Sequence, residues 1–149
     1  MTANHPPILL AEDDSTHVLL VRRFLSKGGL VNPVHVLDDG DEAIAYLRGQ
    51  GRYADRDQHP LPAAVITDLY LRRGNGLDIL RAIREDDDLK GIPVVVMSGS
   101  TEDKNIVEVH RLGAAAYLMK PIAFSAMVGV FHQLGLPWAL QRGFWEAPR

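Results

Sequence analysis

Acidic, basic and hydroxyl side chains follow short apolar runs at four points of this chain. Glu12 and Asp13 follow the run ILLA, and Asp68 follows AAVIT. Ser98 follows VVVM, and Lys120 follows AAAYLM. A carboxylate at the end of an apolar run is costly to desolvate unless another group pairs with it. The sequence therefore raises the question of what these side chains meet.

The chemistry available to these residues is that of phosphate and a divalent cation. Carboxylates gathered at one place repel and raise one another's pKa unless a cation lies among them. Mg²⁺ suits such oxygen ligands, since it binds one or two carboxylates together with water and phosphate oxygens. Lys120 can neutralise further negative charge, and Ser98 can donate a hydrogen bond beside Asp68. Because a carboxylate can accept a phosphoryl group as an aspartyl phosphate, the pattern indicates phosphoryl transfer centred on Asp68.

The elements that must position these residues are five apolar runs alternating with five helical patterns. The runs span 6–11, 33–37, 63–67, 92–97 and 114–119, and the helical patterns span 15–29, 39–51, 76–86, 100–113 and 123–135. Strand–helix alternation predicts a parallel sheet, and runs without polar alternation are typical of strands covered on both faces. The predicted fold is α/β, a (βα)5 doubly wound five-stranded parallel sheet. Ligands bind such sheets beyond the carboxyl ends of the strands, where the four run ends should meet.

Composition excludes several other classes of function. With 149 residues and a net charge of −3, the chain is expected to form one domain without a nucleic-acid footprint. The absence of cysteine excludes disulfides, thiolate chemistry and cysteine-based zinc sites. The six histidines show no i, i+4 pair, so a histidine metal site is not expected. No apolar stretch reaches the ~20 residues of a membrane helix and no signal-peptide pattern begins the chain, which predicts a cytoplasmic protein without a membrane partner.

Four segments resemble the CheY-like receiver domain of bacterial response regulators. These segments are ILLAEDD, VITDLYLRRGNGLDIL, IPVVVMSGS and GAAAYLMKP, in the order and spacing of that family over residues 8–134. The resemblance implies a flavodoxin-like receiver domain at 1–134 and a tail at 135–149. It further implies a single-domain response regulator of a two-component phosphorelay, a signalling module that catalyses only its own phosphorylation and dephosphorylation.

The resemblance assigns the residues of the reaction. It places the phosphoacceptor at Asp68, and a Mg²⁺ (or Mn²⁺) site at Glu12, Asp13, Asp68 and the backbone carbonyl of Tyr70. Phosphorylation is then expected to change the surface formed by the fourth helix, fifth strand and fifth helix, or to change dimerisation.

Further positions respond to the phosphoryl group in this family. The phosphoryl-contacting and switch positions implied are Ser98, Gly99, Lys120 and Tyr117. The Lys120–Pro121 peptide bond is expected to be cis. One position departs from the family pattern, since Arg72 stands where proline usually follows the phosphoacceptor. The loop after Asp68 is therefore expected to be looser or differently shaped.

The long polar segment 51–62 and the aromatic ending resemble phytochrome-associated single-domain response regulators. That subfamily implies a sensor histidine kinase as partner, of the bacteriophytochrome type, and a homodimer. The apolar face of the fifth helix supports a dimer because it spans roughly 160°, wider than one core stripe needs. The predicted dimer or partner surface comprises Met127, Val130, Phe131, Leu134, Trp138, Phe144 and Trp145. The alternative is that the tail aromatics fold back onto their own fifth helix.

Three other functions can be weighed against the receiver. A Mg²⁺-dependent phosphatase of the haloacid dehalogenase type needs a second aspartate two residues after the first, and Tyr70 stands there. A nucleotide-binding Rossmann-like enzyme would have a GxGxxG motif after the first strand, but AEDDST contains no glycine. A pseudo-receiver that serves only as a phosphorylation-independent scaffold is disfavoured by the intact acids, hydroxyl and lysine, although Arg72 leaves it open.

Overall fold

Five parallel strands form one sheet in the order β2–β1–β3–β4–β5. The structure is a computed structural model that describes residues 5–99 and 103–134. The strands are β1 (Ile8–Ala11), β2 (Val34–Leu37), β3 (Ala64–Asp68), β4 (Val94–Ser98) and β5 (Ala116–Met119). The helices are α1 (Ser15–Lys27), α2 (Gly40–Arg48), α3 (Gly76–Arg84), α4 (Asp103–Arg111) and α5 (Phe124–Gln133), with a 3₁₀ turn at Gly51–Tyr53 after α2. The predicted (βα)5 fold is confirmed.

The three central strands are buried along their whole length, whereas the edge strands β2 and β5 are mostly half-buried. This is why the central runs show no polar alternation. The register places Leu10 beside Ile66 and Ile66 beside Val95. At the carboxyl edge Asp68 pairs with Met97, and Ser98 pairs with Met119. The chemically important run ends therefore lie side by side.

The sheet divides the core into two layers. Alternate residues of the strands, such as Leu9 and Val65, pack with α2 and α3 on one face, where Val109 of α4 also lies. The other set, such as Leu10 and Ile66, packs with α1 and α5. Because helices cover both faces of this parallel sheet, its strands are packed from both sides, which positions the strand ends rigidly.

Helix α1 presents a histidine in its buried stripe. Asp14 caps the helix by accepting a hydrogen bond from the backbone N–H of Thr16 at 2.9 Å. The residues of α1 that are buried are His17, Val21 and Leu25, at successive i, i+4 positions. A side chain with two ring nitrogens therefore enters the sheet–helix interface next to the carboxyl edge.

The α5 residues predicted for the dimer surface pack mostly into the chain's own core. Met127, Val130 and Phe131 are buried in the chain's own core together with residues of α1 and the sheet, and Leu134 is half-buried against the same core. The apolar face is wide because α5 packs on two neighbours, the sheet and α1. The rings of Phe24 on α1 and Phe124 on α5 meet edge to face, with centroids 5.6 Å apart.

The remaining part of the predicted contact surface cannot be placed on the fold. Trp138, Phe144 and Trp145 lie outside the described residues, as does the whole tail at 135–149. Their role and the domain boundary at 134 stay predictions. Among the described helices, each is too short or too polar to cross a bilayer.

The long segment between α2 and β3 is more than a polar surface loop. Tyr53 is buried, and the guanidinium of Arg56 donates hydrogen bonds to the carbonyl oxygens of Tyr46 at 2.8 Å and Leu47 at 2.7 Å. It also donates to the carbonyl of His59 at 3.1 Å. Carbonyls in the last turn of a helix lack intrahelical donors, so Arg56 satisfies the carboxyl end of α2 while fixing the loop.

We expect Arg56→Met to lower the free energy of unfolding by about 1 to 3 kcal/mol, because charged hydrogen bonds to backbone carbonyls are lost. Arg48→Met is the control, since Arg48 lies exposed on α2 and should change stability by less than about 0.5 kcal/mol. Urea unfolding followed by circular dichroism measures both. Equal stability of the two variants would contradict the role given to Arg56.

Candidate functional site

Three carboxylates meet at the carboxyl edge of the sheet. Glu12 and Asp13 follow β1, Asp68 is the last residue of β3, and one oxygen from each lies within 4.8 Å of the others. Glu12 and Asp68 are buried, whereas Asp13 is exposed. The structure therefore brings together the three acids predicted to bind a metal. Two buried carboxylates and one that faces solvent fit the oxygen ligands and retained water of Mg²⁺.

Lys120 supplies the positive charge that is already present at the site. Its Nζ lies 2.9 Å from Glu12 Oε1 and 2.8 Å from Asp68 Oδ2. Its backbone N–H donates to the carbonyl of Ser98 at 2.9 Å, and the Lys120–Pro121 peptide bond is cis, as predicted. The ammonium from the end of β5 thus reaches past β4 to bridge two buried carboxylates.

The electrostatics show that one ammonium does not balance these acids. Burial and a hydrogen bond with Asp68 raise the pKa of Glu12 to about 7, although Lys120 opposes the shift. Burial disfavours the charged form of Lys120, but its hydrogen bonds to Asp68 and Glu12 outweigh that effect and hold its pKa above the usual value. Lys120 is therefore charged at neutral pH, while Glu12 is only partly ionised. A divalent cation would remove the remaining excess of negative charge.

His17 is a residue of the site that the sequence pattern did not reveal. Its Nδ1 is in close contact with Glu12 Oε1, and the residue is 9% exposed. Burial, followed by the charge of Lys120, lowers the pKa of His17. The signal in the sequence was its place in the buried stripe of α1, four residues before Val21.

Three further predicted residues lie on the strands beside the acids. Ser98 is the last residue of β4 and is buried, and Gly99 after it is exposed. Tyr117 lies half-buried in β5, paired with Val96, on the face covered by α2, α3 and α4. The structure places Ser98 and Gly99 at the edge that holds Asp68, and their contact with a phosphoryl group stays a prediction.

The loop after Asp68 folds tightly against the strand end. Gly76 donates its N–H to the carbonyl of Leu69 at 2.8 Å, and a Cβ at Gly76 would lie 2.8 Å from the carbonyl oxygen of Asp68. Any other residue there would push the loop away from the phosphoacceptor candidate. Tyr70 forms an isolated bridge with Asn75 inside this loop. The role of its carbonyl as a metal ligand stays a prediction.

Two arginines tie this loop to the segment before α2. Arg72 pairs with Asp38 at 3.3 Å, and Arg73 pairs with Asp39. The backbone N–H of Gly40 donates to the carbonyl of Arg73 at 2.7 Å. The loop was expected to be looser or differently shaped because Arg72 replaces proline; in the structure ion pairs and a backbone hydrogen bond restrain it.

Asp39 has two functions in this restraint. It caps α2 by accepting the backbone N–H of Asp41 at 2.8 Å, and it pairs with Arg73. Burial would raise the pKa of Asp39, but the hydrogen bonds from Arg73 and from the backbone of Glu42 and Asp41 prevail and lower it. The ionised form of Asp39 therefore stabilises the folded loop at neutral pH.

Comparisons with known proteins agree with this geometry. The family model described as "Response regulator receiver domain" matches residues 8–132. The response regulator Rcp1 of Synechocystis is 34% identical over 119 residues, which cover 78% of this chain and 79% of Rcp1. The solved structure of the bacteriophytochrome response regulator RtBRR is 36% identical, with a TM-score of 0.81, and the match covers 97% of this chain and 84% of that one. The crystal structure of the Mn²⁺-bound form of Rcp1 is 29% identical, with a TM-score of 0.74, and covers 90% of this chain and 94% of that one.

The raised pKa of Glu12 predicts an unusual dependence of stability on pH in the metal-free chain. Between pH 4.5 and about 7 the unfolded chain releases the Glu12 proton while the folded chain keeps it, so this residue's contribution to stability falls as the pH rises. Relative to Glu12→Gln, wild type should lose on the order of 1 to 3 kcal/mol across this range. Urea unfolding in EDTA at a series of pH values measures the difference. A difference that is independent of pH would contradict the buried, partly protonated Glu12.

The restraint by Asp39 predicts a graded loss of stability. Asp39→Asn keeps an oxygen that caps α2 but removes the charge, whereas Asp39→Ala removes both. Because the pKa of Asp39 is lowered by folding, its charge stabilises the fold at neutral pH and that contribution is lost as the pH falls through the lowered value. Thermal unfolding at about pH 7 should rank wild type above Asp39→Asn and Asp39→Ala last. The gap between wild type and Asp39→Asn should close in acid, and a gap that widens there would rule out the charge pairing.

Proposed function

This chain belongs to the family of response regulator receiver domains, and on that basis we propose that Asp68 is the residue that accepts the phosphoryl group. Phosphorylation on aspartate with Mg²⁺ is typical of this family, whose members are signalling domains rather than classical enzymes. The observation that carries the assignment is the position of Asp68 at the end of a central strand, with its Oδ2 2.8 Å from Lys120 Nζ. No other carboxylate at the described carboxyl edge shares the ammonium except Glu12, which is more deeply buried.

The metal site of the proposal is formed by Glu12, Asp13 and Asp68, completed by the backbone carbonyl of Tyr70. The Mn²⁺ in the related Rcp1 structure and the 4.8 Å cluster of acidic oxygens support a Mg²⁺ or Mn²⁺ site here. The bound cation supplies charge neutralisation for the acidic and phosphoryl oxygens. The chain's own part is to hold these oxygens together and to place the ammonium of Lys120 against Asp68 and Glu12.

The reaction proposed is attack by an Asp68 carboxylate oxygen on the phosphorus of a donor phosphohistidine. An O–P bond forms as the P–N bond breaks, and the electron pair of the broken bond leaves with the donor's imidazole. Lys120 turns from the carboxylates to the phosphoryl oxygens, and the hydroxyl of Ser98 and the N–H of Gly99 donate to them. Phosphoryl transfer depends mainly on such positioning and charge neutralisation.

Readout of phosphorylation is proposed to pass through β4 and β5. Lys120 is hydrogen-bonded through its backbone to Ser98, and Tyr117 lies three residues before Lys120 on β5. A shift of Ser98 and Lys120 toward the phosphoryl group would thus displace the ends of two adjacent strands. Tyr117 would shift with them and change the surface formed by α4, β5 and α5, as a two-state equilibrium biased by phosphorylation.

The phosphoryl donor is proposed to be a sensor histidine kinase of the bacteriophytochrome type. Similarity to a bacteriophytochrome response regulator over 97% of this chain supports that partner. A homodimer stays a prediction, since the surface expected for it is partly buried in the core and partly outside the described residues.

Intact mass spectrometry with Mg²⁺ and acetyl phosphate tests the phosphoacceptor. Wild type should gain one acid-labile phosphoryl group, and Asp68→Asn should gain none because the nucleophilic oxygen is lost. Asp87→Asn is the matched control, since the Asp87 side chain is 94% exposed and lies away from the site. EDTA should abolish the adduct in wild type and control alike. An adduct on Asp68→Asn would contradict the assignment, and no adduct on any variant would favour the phosphorylation-independent scaffold.

A further inference from the structure

The imidazole of His17 is buried against Glu12, and the proposed reaction gives it no part. Its Nδ1 is in close contact with Glu12 Oε1, the same oxygen that accepts from Lys120 Nζ at 2.9 Å. The Glu12 side chain is fully buried and the His17 side chain is 10% exposed. The contact between the two side chains is therefore largely shielded from water.

Glu12 needs more restraint than an aspartate would at the same place. Glutamate has one more rotatable bond, and each freely rotating side chain loses entropy when it is ordered on a ligand. The backbone N–H of Asp13 donates to Glu12 Oε2 at 3.2 Å, which fixes one oxygen. The other oxygen contacts Lys120 and His17. Because Lys120 also serves Asp68 and turns to the phosphoryl group in the proposed reaction, His17 is the side chain that remains on Glu12 throughout.

The contact with Glu12 involves one particular nitrogen of the His17 ring. A neutral imidazole carries a single N–H, on one of its two ring nitrogens. Nδ1 is the ring nitrogen in contact with Glu12 Oε1, and both Nδ1 and Nε2 lack a hydrogen bond of ordinary geometry among the described residues. A carboxylate oxygen accepts hydrogen bonds, so an N–H directed at Glu12 has to be on Nδ1.

We propose that His17 is a positioning residue of the metal site, whose Nδ1–H holds the Glu12 carboxylate in the orientation that binds the divalent cation. This inference rests on the proposed function, since it concerns the same cation. Groups that hydrogen-bond a ligating carboxylate set its orientation, and their removal typically costs about 10- to 100-fold in metal affinity. His17 lies outside the cluster of acidic oxygens, so it acts through Glu12 and not as a ligand itself.

Calorimetric titration of the full chain with MgCl₂ tests this role. His17→Leu keeps an apolar side chain in the buried stripe but removes the donor, and it should weaken Mg²⁺ binding by roughly 10- to 100-fold. His17→Asn places an amide N–H near the position of Nδ1 and should restore affinity to within about threefold of wild type. His35→Leu is the control, because His35 is a half-buried histidine on the edge strand β2, and it should bind Mg²⁺ as wild type does.

A second readout separates positioning from general damage to the fold. In His17→Leu, the Mg²⁺ concentration for half-maximal phosphorylation by acetyl phosphate should rise by the same factor as the dissociation constant. The rate at saturating Mg²⁺ should stay near that of wild type, because Asp68 and Lys120 are unchanged. If His17→Leu does not fold, His17→Met replaces it.

The outcomes distinguish failure of the proposed metal site from failure of the role proposed for His17. Wild type that does not bind Mg²⁺ would overturn the proposed metal site itself. Wild type that binds Mg²⁺ together with a His17→Leu variant that binds it equally well would overturn only the role of His17. Loss of affinity in His17→Asn as large as in His17→Leu would also overturn it, because the donor would then be irrelevant.

Discussion

The ammonium group of Lys120 lies between two buried carboxylates, and the rest of the site depends on that arrangement. β1 and β3 are neighbours in a parallel sheet, so Glu12 and Asp68 must emerge at the same edge. Without a counter-charge, two such carboxylates would not both stay ionised in a buried place. Lys120 reaches them from the end of β5 and donates hydrogen bonds to both, but it leaves Glu12 with a pKa of about 7. The folded chain therefore holds an excess of acidic groups that a cation would stabilise.

A single ammonium carries one positive charge, which cannot neutralise two carboxylates and a phosphoryl group together. In the proposed reaction Lys120 turns toward the phosphoryl group, and the cation and His17 then hold Glu12. The backbone link between Lys120 and Ser98 means that this exchange is felt at the ends of β4 and β5. A change of charge balance in the pocket would therefore also change the conformation of the surface formed by α4, β5 and α5.

The sequence was most informative where a charged residue follows an apolar run. The order of apolar runs predicted the sheet, and the residues that follow them predicted Glu12, Asp68 and Lys120, because parallel strands end at a common edge. The pairing of Arg73 with Asp39 joins two loops 34 residues apart, and no periodic pattern reports how two loops approach. His17 was one of six histidines without i, i+4 pairing, and only the packing of α1 brings it into contact with Glu12. The width of the apolar face on α5 was misinterpreted, since a helical projection gives the extent of a face but not the number of neighbours that cover it.

The most direct test of the central claim is the coupling between Mg²⁺ and a phosphoryl mimic, measured by calorimetric titration of Mg²⁺ with and without beryllofluoride. If buried acids, cation, Lys120 and phosphoryl group balance one another, beryllofluoride should tighten Mg²⁺ binding, and Mg²⁺ should tighten the binding of beryllofluoride by the same factor. Asp68→Asn should lose this coupling. Independent binding of the two in wild type, with equal Mg²⁺ affinity whether or not the mimic is present, would contradict the account.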